Sequence, residues 1–450
     1  MDFSRRCFIL LLSLVSISLI FRCTIYPSLS EVMQKESSSF LRYEIDSAYV
    51  GSLRQTITIV NHSPDPVAGE LFVPLIRNET ARHHVILHNI SSSQMLHEAF
   101  LSDHYGNRYF YWSHLEIDGE QTFSLALDYY VLSFSIHYLI NSSIVEDYDT
   151  DPEMYKKYVE SEELIESNNS RIISKAHNLT DNVDNWNEKS LRMYNFVRRH
   201  VRYEEQDEEK GALWALENGV GDCSEYSYLF VALCRAAGIP AKIQAGFAFH
   251  HLSEDLENGH MWAEYYLENC GWMPVDVTWR LFEVIDDKHF SSIQSVPELI
   301  PYANYYFDSE AEENNVEEKQ LVSLNPCKTD VFDDDFIEDV VKAIRKTRQA
   351  KFAIFLGKVF GTALIFPSVA EDVEQTFLES KIQLQNAVGF WNENPKIAES
   401  NVAKALEKVE KTVQNAWMLI AKAFSIFISI TIVTLLIGSF LVKRYQTKKE

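Results

Sequence analysis

The chain has 450 residues, of which 46% are hydrophobic and 13% aromatic, with a formal charge of −24. That length exceeds one ordinary domain, the apolar content is enough for sizeable cores rather than disorder, and the acidic balance excludes nucleic acid as the main partner. Cysteines are few: Cys7, Cys23, Cys223, Cys234, Cys270 and Cys327. They make no disulfide scaffold, although Cys270 and Cys327 either bridge or stand as two separate thiols.

In chain order, the first feature is an apolar run from Cys7 to Phe21 behind Arg5 and Arg6. It has the length of a signal-peptide core and falls short of the roughly 20 residues of a comfortable span. No small-x-small cleavage pattern follows, so 1–29 reads as a signal anchor or a signal peptide. Residues 40–137 have the marks of an antiparallel β-sandwich. Alternating Thr56 to Val60, Gly69–Pro74, Val85–His88, Arg108–Trp112 and Thr122–Val131 are separated by Ser63-Pro64-Asp65-Pro66, Tyr105-Gly106-Asn107 and Asp118-Gly119. Asn-x-Ser/Thr sequons at Asn61, Asn78, Asn89, Asn141, Asn168 and Asn178 are compatible with an exported glycoprotein. An acidic connector with one or two helices follows, then a helix from about Asn187 with Leu191, Tyr194, Val197 and Val201 on one stripe.

Chemistry gathers in the next stretch. The run Gly219-Val220-Gly221-Asp222-Cys223-Ser224-Glu225 predicts a tight turn opening a helix that Gly238 and Pro240 stop. Cys223 then lies in the first turn, where free N–H groups and the helix dipole favour a thiolate and could receive an oxyanion. Cys234, inside the apolar stripe, reads as a small core residue. A thiolate nucleophile needs a base and a group that orients the base. His260 stands at the beginning of the strand Gly259–Leu267, and Asp276 lies in the next run, Trp272–Trp279, across a turn at Glu268-Asn269-Cys270-Gly271. A hairpin of these strands places His260 and Asp276 near one end. Trp214 is a candidate second oxyanion donor on position alone. His250 and His251, with Glu254, Asp255 and Glu257, read as an exposed loop at the site mouth rather than a metal site.

Asp308 to Lys319 reads as an acidic loop, and 330–416 as a helical stalk or bundle. Phe352 to Val369, apolar except for Lys358, reads as a buried or membrane-surface helix rather than a third span. Ala423 to Val442 carries no charge and is followed by Lys443 and Arg444, as a transmembrane helix with a basic stop would be. The basic flanks put both termini in the cytoplasm and the bulk of the chain outside.

The run Gly221-Asp222-Cys223-Ser224-Glu225-Tyr226, then Leu233 to Ala241, Gly259-His260-Met261-Trp262-Ala263-Glu264 and Pro274-Val275-Asp276 resembles the core of the transglutaminase-like superfamily. The segment before it, including Asp103 to Asn107, is similar to the front domain of prokaryotic membrane-associated members. The resemblance implies an α+β architecture: a sandwich at 40–137, a papain/transglutaminase-like domain at 149–310, and a helical region ending in a transmembrane helix at 423–442. It also implies a catalytic triad of Cys223, His260 and Asp276 that cleaves or transfers amide acyl groups of peptides or proteins at the cell surface. The calcium-site pattern of animal transglutaminases is not in the sequence, so neither cofactor nor metal is expected. A non-catalytic module binding an envelope protein or glycan is the alternative, and a glycan-cleaving amidase is a third reading within the same chemistry.

Overall fold

A computed structural model describes residues 42–446, apart from 79–82, 96–98, 141–144, 296–304, 310–314, 330 and 392–393. The expected signal segment at 1–29 lies outside the described residues. The chain opens with β1 (Tyr43–Asn61), whose buried Leu53, Gln55, Ile57 and Ile59 alternate with more exposed neighbours, the period of a strand with one covered face. There follow β2 (Val67–Pro74), β3 (His83–Ser92), β4 (Ala99–Ser102), β5 (Arg108–Ile117) and β6 (Thr122–Tyr138). Three helices come next, α1 (Glu153–Val159), α2 (Ser170–Thr180) and α3 (Trp186–His200), then β7 (Arg202–Tyr203), α4 (Ala212–Asn218), β8 (Val220–Gly221) and α5 (Cys223–Ala236). Short strands dominate thereafter: β9 (Ala241–Ala248), β10 (Glu254–Leu256), β11 (His260–Leu267), β12 (Gly271–Asp276), β13 (Leu281–Phe282), β14 (Val284–Ile285), β15 (His289–Gln294), β16 (Tyr306–Ser309) and β17 (Val316–Pro326). The chain ends in α6 (Asp334–Val359), α7 (Thr362–Ile365), α8 (Pro367–Phe390) and α9 (Pro395–Gln446).

Two antiparallel sheets form the sandwich. One has the order β10-β17-β1-β6-β14, with β3 also on β6, and the other the order β16-β2-β5-β4. Leu53, Ile57, Leu71, Trp112, Phe123 and Leu125 fill the space between them. The sandwich therefore draws on strands beyond the expected 40–137. β17 pairs with β1 from Gly51↔Pro326 to Asn61↔Val316, and β16 pairs with β2. The expected acidic loop from Asp308 to Lys319 is corrected accordingly, since its two ends are strands. Asp308, Glu317, Glu318 and Lys319 face solvent while Phe307, Val322 and Leu324 point inward, so local charge concealed the alternation.

A third antiparallel sheet, β13-β12-β11-β9-β15, carries α5 against it. Here α5 is buried almost all round, from Ser224 to Arg235, between this sheet and the helices α2, α3 and α4. On α3 the covered stripe is Ser190, Met193, Tyr194 and Val197; Leu191 faces outward, one residue off the expected stripe. The result is a mixed α and β molecule with antiparallel sheets and a papain-like core.

The C-terminal helices form a bundle on the outer face of β1 and β6, where Phe336, Val340, Leu384 and Val402 meet Tyr43, Ile45 and Phe134. Lys381 bonds Glu44 at 2.7 Å, and Gln385 Oε1 accepts the backbone N–H groups of Arg42 and Tyr43. Phe352 to Val369 is not a buried helix: it covers the end of α6, the left-handed Gly361, α7 and the start of α8. Among the described residues one helix, Pro395–Tyr445, is long and apolar enough to cross a membrane, with a mean hydropathy of 2.4 over its most apolar window.

Candidate functional site

The site is assembled where the start of α5 meets the open end of the β11–β12 hairpin. Asp222 is the N-cap of α5, and its Oδ1 accepts the Ser224 N–H at 2.9 Å. Glu225 reaches back to accept the Asp222 N–H at 3.1 Å, which completes a capping box. Glu225 also accepts the Lys210 N–H at 2.8 Å, and Asp222 accepts the Gln206 N–H at 3.3 Å, so the acidic loop before α4 is latched beside the cysteine. A Cβ on Gly221 would lie 2.4 Å from Cβ of Glu225, so only glycine allows the turn to close this tightly over the cap. Cys223 therefore occupies the first turn of a rigidly capped helix and is partly exposed, whereas Cys234 is wholly buried. Ser227 Oγ, 2.8 Å from the Cys223 carbonyl and 3.2 Å from that of Met261, ties this first turn to β11.

β11 and β12 pair antiparallel with Ala263 opposite Val275, which carries His260 and Asp276 to the same end. His260 Nε2 lies 2.7 Å from Asp276 Oδ2, and Cys223 is near enough to raise the pKa of the His260 ring. With Nε2 committed to the carboxylate, Nδ1 is the nitrogen left for the thiol. The structure thus brings Cys223, His260 and Asp276 into one chain of contacts. Burial acts to depress the His260 pKa, but the Asp276 charge and hydrogen bond, with Cys223, outweigh it and raise it to about 9. Asp276 is fully buried, and although burial alone would raise its pKa, the two histidines beside it hold it well below the usual carboxylate range.

The second histidine is His289, on β15, which sequence reasoning missed. It is buried, its Nε2 lies 3.2 Å from the same Asp276 Oδ2, and its Nδ1 lies 2.7 Å from Asp286 Oδ1. Burial lowers its pKa, but the two carboxylates raise it to about 9. Nothing in the local sequence marks His289; only the sheet order, with β15 beside β9, brings it there. The Asp276 Oδ1 accepts the Trp279 N–H at 2.8 Å, and the Trp279 ring lies 5.5 Å from His260. His250 stacks on Trp279 with centroids 4.6 Å apart, so its loop stands at the site mouth. Trp214 sits half-buried on α4.

Ligand atoms of His260, Asp276 and His289 lie within 4.8 Å of one another, a spacing that could hold a metal ion. Both rings already bond one carboxylate oxygen, and their raised pKa values put protons where a cation would bind. A hydrogen-bonded His–Asp–His cluster describes the group better than a metal centre. Cys223, Cys234, Cys270 and Cys327 are all free thiols, so Cys270 and Cys327 form no bridge. Of the sequons, Asn61 is buried and its amide nitrogen donates to three carbonyls, which closes it to glycans. Asn78, Asn89, Asn168 and Asn178 are exposed, and Asn141 lies outside the described residues.

A helix-start cysteine facing a histidine–aspartate pair on an antiparallel sheet is a papain-like thiol arrangement. Residues 173–277 match the family model of the transglutaminase-like superfamily. A protein-glutamine gamma-glutamyltransferase of Pseudomonas aeruginosa is 34% identical over 68 residues, covering 14% of this chain and 10% of that protein. The chain therefore spans only a small part of this curated relative. Among solved structures, a protein put forward as a cysteine protease from Cytophaga hutchinsonii aligns with 65% of this chain and 96% of its own, at 17% identity and a TM-score of 0.48. The periplasmic domain of TgpA from Pseudomonas aeruginosa, bound to ethylmercury, aligns at 16% identity over 56% of this chain and 94% of its own, with a TM-score of 0.28.

Proposed function

We propose that the protein is a membrane-anchored thiol enzyme that opens amide bonds of peptides or proteins through a thioester on Cys223. The observation that carries the reading is the placement of His260, 2.7 Å from Asp276 through Nε2 and close enough to Cys223 to be charged by it. The Cys223 sulfur attacks the amide carbonyl carbon, forming the C–S bond. The negative charge on oxygen falls to the Cys223 N–H, because the Asp222 cap already takes the N–H groups of Ser224 and Glu225. Collapse of this intermediate breaks the C–N bond, and His260 gives its proton to the departing amine. Water or a second amine then attacks the thioester, giving its proton to His260 and releasing the sulfur. Asp276 orients the ring and stabilises its charged form throughout.

The outward-facing location is part of the same proposal. It rests on the apolar helix α9, the basic residues Lys443 and Arg444 after its apolar segment, and the surface sequons. The name of the Pseudomonas aeruginosa relative makes glutamine side chains the first acyl donors to try. The test is incubation of the full chain with a glutamine-containing peptide, with and without a fluorescent primary amine, beside Cys223→Ala. Deamidated peptide marks hydrolysis, and peptide–amine adduct marks transfer. If neither forms, no peptide bond in a protein panel is cut, and Cys223 alkylates no faster than an ordinary thiol, the enzyme reading is wrong. A binding role then takes its place.

A further inference from the structure

The tip of the helical bundle, where α6 turns through α7 into α8, is more apolar than a water-facing surface should be. Phe352, Phe355, Phe360, Leu364, Ile365 and Val369 are all exposed, Phe355 at 60% and Leu364 at 53%. Residues 359–370 include no charged side chain, and Lys358 just before them pairs with Glu374 at 3.2 Å. Contiguous exposed aromatic and aliphatic side chains of this kind mark an interaction surface.

The position of the tip identifies the partner. The Phe360 ring lies 6.4 Å from that of Phe424 on α9, and a Cβ on Gly357 would lie 3.8 Å from Ile420. Along α9, Ala416, Leu419, Ile420 and Ala423 are buried against the bundle, whereas from Phe424 onward the helix is exposed on every side. The tip therefore stands level with the residue at which α9 leaves the bundle. From Phe424 to Val442 the helix rises roughly 27 Å at about 1.5 Å per residue, close to the roughly 30 Å of a bilayer's hydrocarbon core. Lys422, exposed two residues before Phe424, is placed for its charge to reach the headgroups while its stem lies among apolar groups.

We propose that the α6–α8 tip is a second membrane contact, seated in the interfacial layer of the leaflet that α9 enters. The proposal rests on the reading of α9 as a spanning helix. It adds a fixed orientation to a simple tether. Two contacts on one bundle set tilt and height, and the bundle is joined to the sandwich through its apolar face and the Lys381–Glu44 pair. The site at Cys223 is then held at a constant distance from the bilayer, facing polypeptides near the membrane.

The test uses the full chain in nanodiscs of phosphatidylcholine and phosphatidylglycerol, with the photoreactive residue p-benzoylphenylalanine replacing Phe355, Leu364, Ile430 or Phe100 in separate samples. Ile430 reports the span, and Phe100, exposed on β4 of the sandwich, reports water-facing background. Lipid adducts measured by mass are expected at 355 and 364 in yields comparable with 430 and at least ~10-fold above 100. Adducts at 430 with only background at 355 and 364 overturn the tip contact and leave the span standing. Crosslinks from 355 or 364 to a second copy of the chain overturn it in favour of an interface between copies. Background at 430 as well removes the spanning reading, and the tip contact with it.

Discussion

Because Asp276 Oδ2 lies 2.7 Å from His260 Nε2 and 3.2 Å from His289 Nε2, the charge available to His260 depends on the charge of His289. A protonated His289 draws on the same carboxylate, and Asp286 on its far side keeps it protonated. Replacing His289 by Gln, or Asp286 by Asn, leaves Asp276 more fully to His260, so the alkaline limb of the pH–rate profile should move upward from about 9. A loss of rate with an unmoved limb would assign His289 a packing role alone. Asp276→Asn should cost on the order of 10³–10⁴-fold in turnover, as loss of the orienting carboxylate does in other triads. The same groups link pH to stability. Both histidines have folded pKa values raised from 6.5 to about 9, so their contribution is complete below pH 6.5 and is lost as pH rises through about 9. Asp276 is shifted below its ordinary 3.8, so its contribution is present above that value and fades in acid. The difference in urea midpoint between the native chain and Asp276→Asn should therefore be widest between pH 4 and 6.5 and should narrow toward pH 10. Cys223 and His260 were legible as candidates from local landmarks, a glycine turn and a strand start, and Asp276 because a tight turn makes its strand the hairpin partner of the His260 strand. His289 could not, since its relation to Asp276 exists only through sheet order.

At the scale of elements, α5 was legible from the glycines before it and the Gly238–Pro240 stop after it. Its cap was equally visible as Asp222 followed by Glu225 three residues on, a pattern with a known mechanism that the motif reading passed over. Asp222→Ala should cost about 1 kcal/mol of stability through the lost cap, and should also release the Gln206 contact. Thermal unfolding measures the first effect, and faster proteolysis of the 204–211 loop the second. The central sheet holds a less visible device. Lys242 Nζ lies 3.2 Å from Glu264 Oε2, both side chains are buried, and Gln244 donates to the same Glu264 oxygen at 2.7 Å. Glu264→Leu leaves Lys242 buried without its counter-charge and should destabilise by about 3–5 kcal/mol. Adding Lys242→Met should recover most of that loss, which a melt of the single and double variants would show. Elements misread from sequence share one cause. Leu191 on α3 and the charged ends of 308–319 were judged from their own chemistry, whereas their burial is decided by what packs over them.

The sandwich and the sheet that carries His260 and Asp276 are folded from one interleaved chain, which a linear division into segments could not anticipate. β1 to β6 come first, the cysteine-bearing segment follows, and β16 and β17 then return to complete both sandwich sheets. The cysteine-bearing segment also lends β10 and β14 to the larger sandwich sheet. Phe247, Phe249 and Phe290, on or beside β9 and β15, lie in the sandwich core with Leu53 and Trp112. Asn107, at the turn before β5, accepts the Gln294 N–H at 2.8 Å and donates to the Gln294 carbonyl at 3.1 Å, joining the two units a second time. Such sharing predicts one cooperative transition rather than two. Leu324, fully buried on β17, and Cys234, fully buried on α5, belong to different cores and serve as independent reporters. Leu324→Ala should cost about 2–5 kcal/mol. If the units unfold together, pulsed alkylation of Cys234 in urea should shift by the same amount as the near-ultraviolet signal of the buried aromatic residues. A Cys234 midpoint unmoved by Leu324→Ala would show that the catalytic unit holds without its sandwich. The shared strands would then be a docking arrangement rather than a common core. The three phenylalanines argue for the common core, because unfolding either unit exposes side chains that the other has buried.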